Sequence, residues 1–295
     1  MSRKYDVVIV GGGPAGIFAA LELSRSPGLK VLLLEKGKDL DNRNCLVSHK
    51  DINCLSCAPC NLVSGFGGAG AFSDGKMTLS PHVGGHLKEY LGEKETCDLI
   101  RHVDSIYLQF GATDKLYGVG EEVEQLSRRA SMAELRLTPV PIRHLGTEHC
   151  RDIINAMQKS LSAKVEIQVE KTGSAILTDN TAVKGIETED GERLECDYLI
   201  LAPGREGADW LVQEADRLKL TLYNNPVDVG VRVELPSAVL EELTDILYEP
   251  KLEFFTQTFD DRVRTFCMCP GGEVTLESTG GSDPVITVNG HSYAH

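Results

Sequence analysis

Val7-Val8-Ile9-Val10 is a run of four aliphatic residues with no polar alternation, and Gly11-Gly12-Gly13-Pro14-Ala15-Gly16 follows it at once. An unbroken apolar run is the pattern of a strand buried on both faces, as in a parallel sheet. After the glycines, Ile17, Ala20, Leu21 and Ser24 recur at helical spacing, and Ser26-Pro27-Gly28 stops the helix. Lys30-Val31-Leu32-Leu33-Leu34-Glu35 then repeats the buried-strand pattern. The opening of the chain therefore predicts strand, tight turn, helix and strand.

Farther along, Val183–Thr188 and Asp190–Leu194 read as a hairpin about an Asp-Gly turn, and Cys196–Leu201 as another buried strand ending in the small-residue turn Ala202-Pro203-Gly204-Arg205. With Lys164–Val169 these segments predict a β-meander feeding back into the parallel sheet. Between about 85 and 141 the pattern turns helical, with Tyr90, Leu91, Leu99, Ile100, Val103, Ile106 and Tyr107 at helical spacings. From Pro226 it turns to strands: Val227–Leu235, Leu252–Phe259, Val263–Met268, Glu273–Glu277 and Pro284–Asn289. The expected class is α/β. A Rossmann-like nucleotide-binding domain with β-meander and helical excursion spans 1–225, and a β-rich substrate domain, incomplete as it stands, spans 226–295.

The glycines add chemistry to this pattern. In a G-x-G-x-x-G turn the first glycine (Gly11) permits the tight turn, the second (Gly13) admits a pyrophosphate and the third (Gly16) lets helix and sheet approach. The helix N-terminus supplies free N–H groups and a favourable dipole for the phosphates. Glu35, at the end of the second strand, is placed to accept from both ribose hydroxyls, which favours NAD or FAD over a 2′-phosphorylated cofactor. Gly11, Gly13, Pro14, Ala15, Gly16, Glu35 and Lys36 form the first group of candidate cofactor-binding residues.

A second group lies in Ser64–Lys76, where five glycines fall in the twelve positions 64 to 75. So many glycines exclude helix and central strand, and leave a loop whose N–H groups face a ligand. Phe66 and Phe72 distinguish it from a flexible linker. Gly70, Gly75 and Lys76 match part of a P-loop, but Met77 stands where a magnesium-binding Ser or Thr belongs and no helical pattern follows. The candidates here are Gly65, Gly67, Gly68, Ala69, Ser73, Asp74 and Gly75.

With the turn at 202–205, the chain resembles the FAD-binding fold of the glutathione-reductase type. There, a strand ending Ala-Thr-Gly closes over the flavin. Pro203 replaces the usual Thr, so only a backbone role is implied there. Gly173, Ala202, Gly204 and Arg205 join the candidate cofactor residues. Across nearly its whole length the chain is similar to a family of bacterial FAD-dependent dehydrogenases (NAD(P)/FAD-dependent oxidoreductases). These are themselves distantly similar to flavoproteins that reduce bile-acid and prenyl double bonds. The resemblance rests on Gly11–Gly16, Glu35, Gly65–Lys76, Arg143–Thr147, Gly204–Trp210, Gly230–Glu234 and Phe266–Gly272. It implies bound FAD, hydride or electron transfer through the flavin, NAD(P)H as a possible electron donor, and an apolar acceptor with a carbon–carbon double bond. Flavoproteins of this fold also carry a late Gly-Asp dipeptide that holds part of the FAD. The chain contains none, and it stops soon after the strand-like Pro284–Asn289. A piece of a longer protein, lacking one FAD-binding segment, is expected.

Composition narrows the partners. A net charge of −14 argues against nucleic acid and against an anionic membrane surface. No stretch approaches the ~20 apolar residues of a membrane span, and a cytoplasmic location is expected. The partner is a small-molecule substrate or an electron-transfer protein, and nothing in the sequence sets the oligomeric state.

In such a compartment the nine cysteines are thiols, metal ligands or redox groups rather than structural disulfides. Cys54, Cys57 and Cys60 form a C-x-x-C-x-x-C run. Ser64 stands where an iron–sulfur run puts its fourth cysteine, so Cys45, His49, Cys267 or Cys269 would have to complete a cluster or zinc site. The same three are alternatively a redox dithiol beside the flavin, making the protein a flavin-linked disulfide or sulfur reductase, or inert thiols. Gly118–Val123 lacks the third glycine of a second nucleotide motif. A non-catalytic flavoprotein, carrying electrons or using FAD structurally, is the remaining alternative.

No catalytic residue is identified by pattern. Lys76 and Asp74 would sit near the flavin or, more simply, read as a solvated loop lysine and a turn aspartate. Arg205 would face the flavin or cap a helix starting near Ala208. His144 and His149 read as packing or surface histidines. Cys267 and Cys269 share a face if their segment is a strand, and read as a small buried pair or as thiols presented towards a substrate.

Overall fold

The computed structural model describes residues 3–45, 57–180, 182–224, 227, 229–278 and 286–292. In chain order β1 (Arg3–Val10), α1 (Pro14–Leu23) and β2 (Val31–Leu34) come first. Then follow β3 (Lys76–Thr78), α2 (Leu87–Leu91), α3 (Glu93–Gln109), α4 (Glu121–Met132), β4 (Arg136–Thr138), β5 (Ile142–His144) and α5 (Thr147–Leu161). The elements β6 (Glu166–Gln168), β7 (Gly173–Asp179), β8 (Ala182–Thr188), β9 (Arg193–Leu201) and α6 (Ala208–Arg217) lead into α7 (Glu241–Leu247), β10 (Lys251–Phe255), β11 (Arg262–Arg264), β12 (Glu273–Ser278) and β13 (Ile286–His291). Two compact units divide the chain. The first holds Met1–Phe72, Ile154–Val229 and Leu276–Asn289, and the second Ser73–Ile153, Gly230–Thr275 and Gly290–His295.

The first unit is an α/β fold built on a six-stranded sheet in the order β6-β2-β1-β9-β8-β7. β1 runs parallel to β2 and β9, and β2 parallel to β6. Val8, Ile9, Leu32 and Leu33 are fully buried, each stabilising the fold by about 1.5–3 kcal/mol over its exposed state. On the sheet Tyr5, Val8, Val10, Leu32, Leu34, Ile186, Leu194 and Cys196 form one cluster, with Trp210 of α6 against it. The Trp210 indole N–H donates to Ser174 O at 2.8 Å, which satisfies its polar end.

The meander differs from its expected composition. It consists of β7, β8 and β9, paired antiparallel, whereas Glu166–Gln168 sits on the far edge as a parallel partner of β2. Three residues of ladder carry too little pattern to tell a parallel edge from a meander strand. The hairpin turn at Asp190-Gly191 forms as expected, with Gly191 at φ +81.

The second unit joins part of the helical excursion to strands from late in the chain. β4 lies beside β10, with Leu137 opposite Leu252, and β10 also pairs with β11. Val123, Leu126, Leu137 and Leu247 make its main apolar cluster. Arg143 of β5, nearly fully buried, grips Asp104 of α3 with two hydrogen bonds of 2.6 and 2.9 Å.

The expected strand over Val227–Leu235 is not formed: its described residues are irregular, and Val229 and Val231 are 95% and 90% exposed. Alternating valines have the propensity, but a strand needs a ladder partner, and none pairs with them among the described residues. The expected strand over Val263–Met268 shortens to β11, leaving Cys267-Met268-Cys269 outside any ladder.

Candidate nucleotide site and a thiol cluster

The first unit's glycine turn is built by steric necessity. Gly11 has φ +109, and a Cβ there would lie 2.0 Å from Ala202 O, because the end of β9 closes over the end of β1. A Cβ on Gly16 would lie 1.9 Å from Gly11 O, so α1 sits directly on the turn it leaves. Gly13 is different. It is the N-cap of α1, and among the described residues a Cβ there would meet only Gly68 Cα, at 3.9 Å. Among the described residues no side chain caps this helix, Pro14 occupies its first turn, and Pro14 and Ala15 are exposed. Open space in front of an uncapped helix N-terminus is what a pyrophosphate requires.

Glu35 stands at the end of β2, only 6% exposed. Its Oε2 accepts from Gly12 N at 2.7 Å, and its Oε1 from Gly37 N at 2.8 Å and Gly65 N at 2.9 Å. The glycine loop is thereby tied to the turn. Gly67 N donates to Gly12 O and Phe66 N to Lys38 O, at 2.8 and 2.9 Å. The loop also approaches the helix start: a Cβ on Gly68 would lie 2.9 Å from Gly13 Cα, and one on Gly70 2.7 Å from Pro14 Cγ. Ala69 lies in the 3-10 turn Gly68–Phe72.

Arg43, which sequence reasoning missed, holds this loop from behind. It is fully buried, and its guanidinium donates to the carbonyls of Asn61 (2.9 Å), Leu62 (2.9 Å), Phe66 (2.7 Å) and Gly65 (3.4 Å). It also stacks 4.8 Å from the Phe72 ring centroid. Nothing near Arg43 in the sequence marks it, since its acceptors are backbone groups 18 to 23 residues away.

The remaining sequence candidates have other placements. Lys36 pairs with Glu206 at 3.3 Å. A Cβ on Gly173 would strike Ile186 Cδ1 at 2.5 Å, a packing reason for that glycine. Gly204 adopts φ +64 and opens the 3-10 turn Arg205–Gly207 that leads into α6. Ser73, Asp74 and Gly75 belong to the second unit. There Ser73 Oγ accepts from Gly75 N at 3.0 Å, and a Cβ on Gly75 would meet Cys150 Sγ at 2.5 Å.

Of the triple-cysteine run, Cys54 lies outside the described residues. Cys57 is exposed and Cys60 half-buried. Burial pushes the Cys60 thiol above its ordinary pKa. Ser64, at the missing fourth position, is buried with its hydroxyl unpaired among the described residues.

In the second unit Lys76 is not a solvated loop lysine. It lies on β3 with its side chain 8% exposed, 3.0 Å from Asp74 and 3.9 Å from Glu249. It donates to Cys267 Sγ at 2.9 Å and to Met268 O at 2.6 Å. Lys251 completes the cluster, donating to Glu249 at 2.8 Å and to Phe266 O at 3.0 Å. Burial opposes the Lys76 charge, but Asp74 and Glu249 outweigh it and hold the ammonium above its ordinary pKa.

Nearby in the same unit His144 is buried, stacked on Tyr248 at 4.2 Å. Its Nε2 lies 2.8 Å from Tyr248 OH and 3.1 Å from Ser292 Oγ. Burial lowers the His144 pKa and raises that of Tyr248. His144 is thus a satisfied interior histidine, as its sequence context suggested, and His149 is exposed.

Residues 5–55 match the family described as pyridine nucleotide-disulphide oxidoreductase. The chain is 26% identical, over 98% of its length, to an uncharacterized protein of Clostridium beijerinckii, and it spans 49% of that protein. Over 62 residues, 18% of this chain and 15% of the relative, it is 39% identical to the digeranylgeranylglycerophospholipid reductase of Methanosarcina mazei. The chain thus spans half or less of the length of these curated relatives. Similar solved structures include L-amino acid deaminase from Proteus vulgaris (14% identity, TM-score 0.44, 75% of this chain and 51% of that one). Glycine oxidase from Geobacillus kaustophilus is also similar (16%, TM-score 0.44, 75% and 60%).

Proposed function

We propose that this chain is the nucleotide-binding part of an FAD-dependent oxidoreductase, with the glutathione-reductase-type arrangement of the cofactor. The open position at Gly13, before an uncapped helix N-terminus and beside Glu35, carries this reading. The family match over residues 5–55 supports it.

The residues of the first unit fit the adenosine diphosphate half of the cofactor. The first-turn N–H groups of α1 would bind the pyrophosphate, with Gly13 giving it backbone access. A carboxylate offers about four acceptor positions, and three of those on Glu35 take the N–H groups of Gly12, Gly37 and Gly65. One remains for a ribose hydroxyl, on Oε2. Glu35 then contacts one hydroxyl rather than two, and it still disfavours a 2′-phosphate through its charge. The turn Ala202–Arg205 contributes backbone only, as the replacement of Thr by Pro203 implies.

Bound flavin supplies the hydride or electron transfer, and the protein orients and tunes it. A nicotinamide donor and an apolar acceptor with a reducible double bond form the finer reading. The stretch shared with digeranylgeranylglycerophospholipid reductase supports the acceptor class. Purified protein examined for flavin absorbance, followed by anaerobic mixing with NADH or NADPH, tests both levels. Flavin that binds and is then bleached supports the enzyme; flavin that binds and resists both donors favours a carrier or structural role. Protein that takes up no FAD, both as this chain and when extended to the length of its relatives, overturns the proposal.

A further inference from the structure

We propose that Cys267 and Cys269, together with Lys76 and Asp74, form a dithiol centre that exchanges electrons with disulfides. It lies wholly within the second unit. The two sulfurs and an Asp74 oxygen all lie within 4.8 Å of one another. Lys76 Nζ sits among them, 2.9 Å from Cys267 Sγ, 3.8 Å from Cys269 Sγ and 3.0 Å from Asp74 Oδ2.

Two sulfurs and a carboxylate so close together are also a donor set for a metal ion. Here, however, the cation is built into the protein. A divalent ion among these atoms would face a buried ammonium that Asp74, Glu249 and the Met268 carbonyl hold in place. The arrangement instead suits a thiolate beside a thiol.

The two sulfurs have different surroundings. Cys267 receives the Lys76 ammonium, whereas Cys269 donates to Asp74 Oδ2 at 3.5 Å. The Cys269 thiol and the Lys76 ammonium, acting against partial burial, bring the Cys267 pKa down to about 5, while the Cys267 thiolate, burial and Asp74 push Cys269 up against the pull of Lys76. Cys267 is therefore the thiolate at neutral pH, and Cys269 keeps its proton. Both are half-buried rather than sealed, and they lie outside any strand ladder, so the segment is not locked by sheet pairing.

The exchange balances as follows. The Cys267 thiolate attacks one sulfur of a substrate disulfide, forming a mixed disulfide and releasing one substrate thiolate. Cys269 then gives its proton to Asp74, its 3.5 Å acceptor, and attacks Cys267 Sγ. That closes the Cys267–Cys269 disulfide and expels the second substrate thiolate, which takes the proton back from Asp74. Two electrons pass from the cysteine pair to the substrate. A thiolate of such low pKa stabilises the reduced pair, so the reverse reaction with a substrate dithiol is favoured thermodynamically and the couple is oxidising.

The experiment uses the reduced full chain under anaerobic conditions, the aryl disulfide 5,5′-dithiobis(2-nitrobenzoate) as probe, and peptide mapping of the products. Around pH 6 Cys267 holds about 300-fold more thiolate than an ordinary thiol, and lower intrinsic nucleophilicity takes back about 40-fold. Cys267 is therefore expected to react roughly tenfold faster than exposed Cys57, releasing two aryl thiolates and leaving a Cys267–Cys269 link. Cys269→Ser is expected to stop at the mixed disulfide with one thiolate released, and Lys76→Met to move the pH profile of Cys267 upward. The wild-type map needs no variant to fold. Equal rates at Cys267 and Cys57, a map without the internal link, or zinc or iron bound stoichiometrically by the pair would each overturn the proposal.

Discussion

The Gly65 N–H donates to Glu35 Oε1 at 2.9 Å, so one carboxylate ties the end of β2 to a glycine loop 30 residues further on. Gly12 and Gly37 use the same carboxylate. Glu35 is thus an anchor of the turn as well as a candidate ribose ligand, and its two roles separate in experiment.

Glu35→Ala leaves three N–H groups without their acceptor in a nearly closed site. An unsatisfied buried donor costs about 1–3 kcal/mol, and water entering the vacated space offsets part of the sum. The cofactor-free variant is expected to lose about 2–4 kcal/mol of stability, read as a lower urea midpoint. An unchanged midpoint would show that the carboxylate serves the ligand alone.

Arg43→Met removes the donors of four loop carbonyls. A loss of about 3 kcal/mol or more is expected, together with faster proteolysis in the loop around 61–66. Arg43→Lys should recover little of it, because one ammonium cannot reproduce a planar fork that spans several acceptors. Thermal unfolding and timed digestion check both effects. Full rescue by lysine would contradict this role.

Acid should weaken the second unit through His144. Burial holds its folded pKa below 6.5, so in this window the unfolded chain binds the proton more readily than the folded one. Stability is then fully present above about pH 6.5 and declines as pH falls from there toward the folded pKa. Tyr248, Asp74 and Lys76 face the same ring. Urea unfolding at several pH values should show a shallower decline in His144→Gln than in the wild type. Identical profiles would remove His144 as the cause.

The opening βαβ unit was legible because its signals are local: an unbroken aliphatic run, three spaced glycines and a terminal acid. The hairpin turn at Asp190-Gly191 was legible for the same reason. Arg43 was not, since its acceptors are backbone carbonyls that carry no residue identity. Lys76 read as solvated because its partners Glu249 and Cys267 lie 173 and 191 residues later in the chain. Glu166–Gln168 joined the wrong part of the sheet in the sequence reading, because three residues cannot encode an edge. Val227–Leu235 had strand propensity without a partner among the described residues to realise it.

FAD titration of the wild type and Gly13→Val, with unfolding followed in the same samples, bears most directly on the nucleotide site. Among the described residues a Cβ at Gly13 has no heavy atom nearer than Gly68 Cα at 3.9 Å, so valine should leave the cofactor-free fold close to wild-type stability. Its methyl groups would occupy the pyrophosphate's place. Wild-type protein is expected to bind FAD, and Gly13→Val to lose at least about 100-fold in affinity, about 2.7 kcal/mol, at an unchanged unfolding midpoint. Folded wild-type protein that fails to take up FAD both as this chain and when extended to the length of its relatives, or Gly13→Val that binds it equally well, would contradict the assignment.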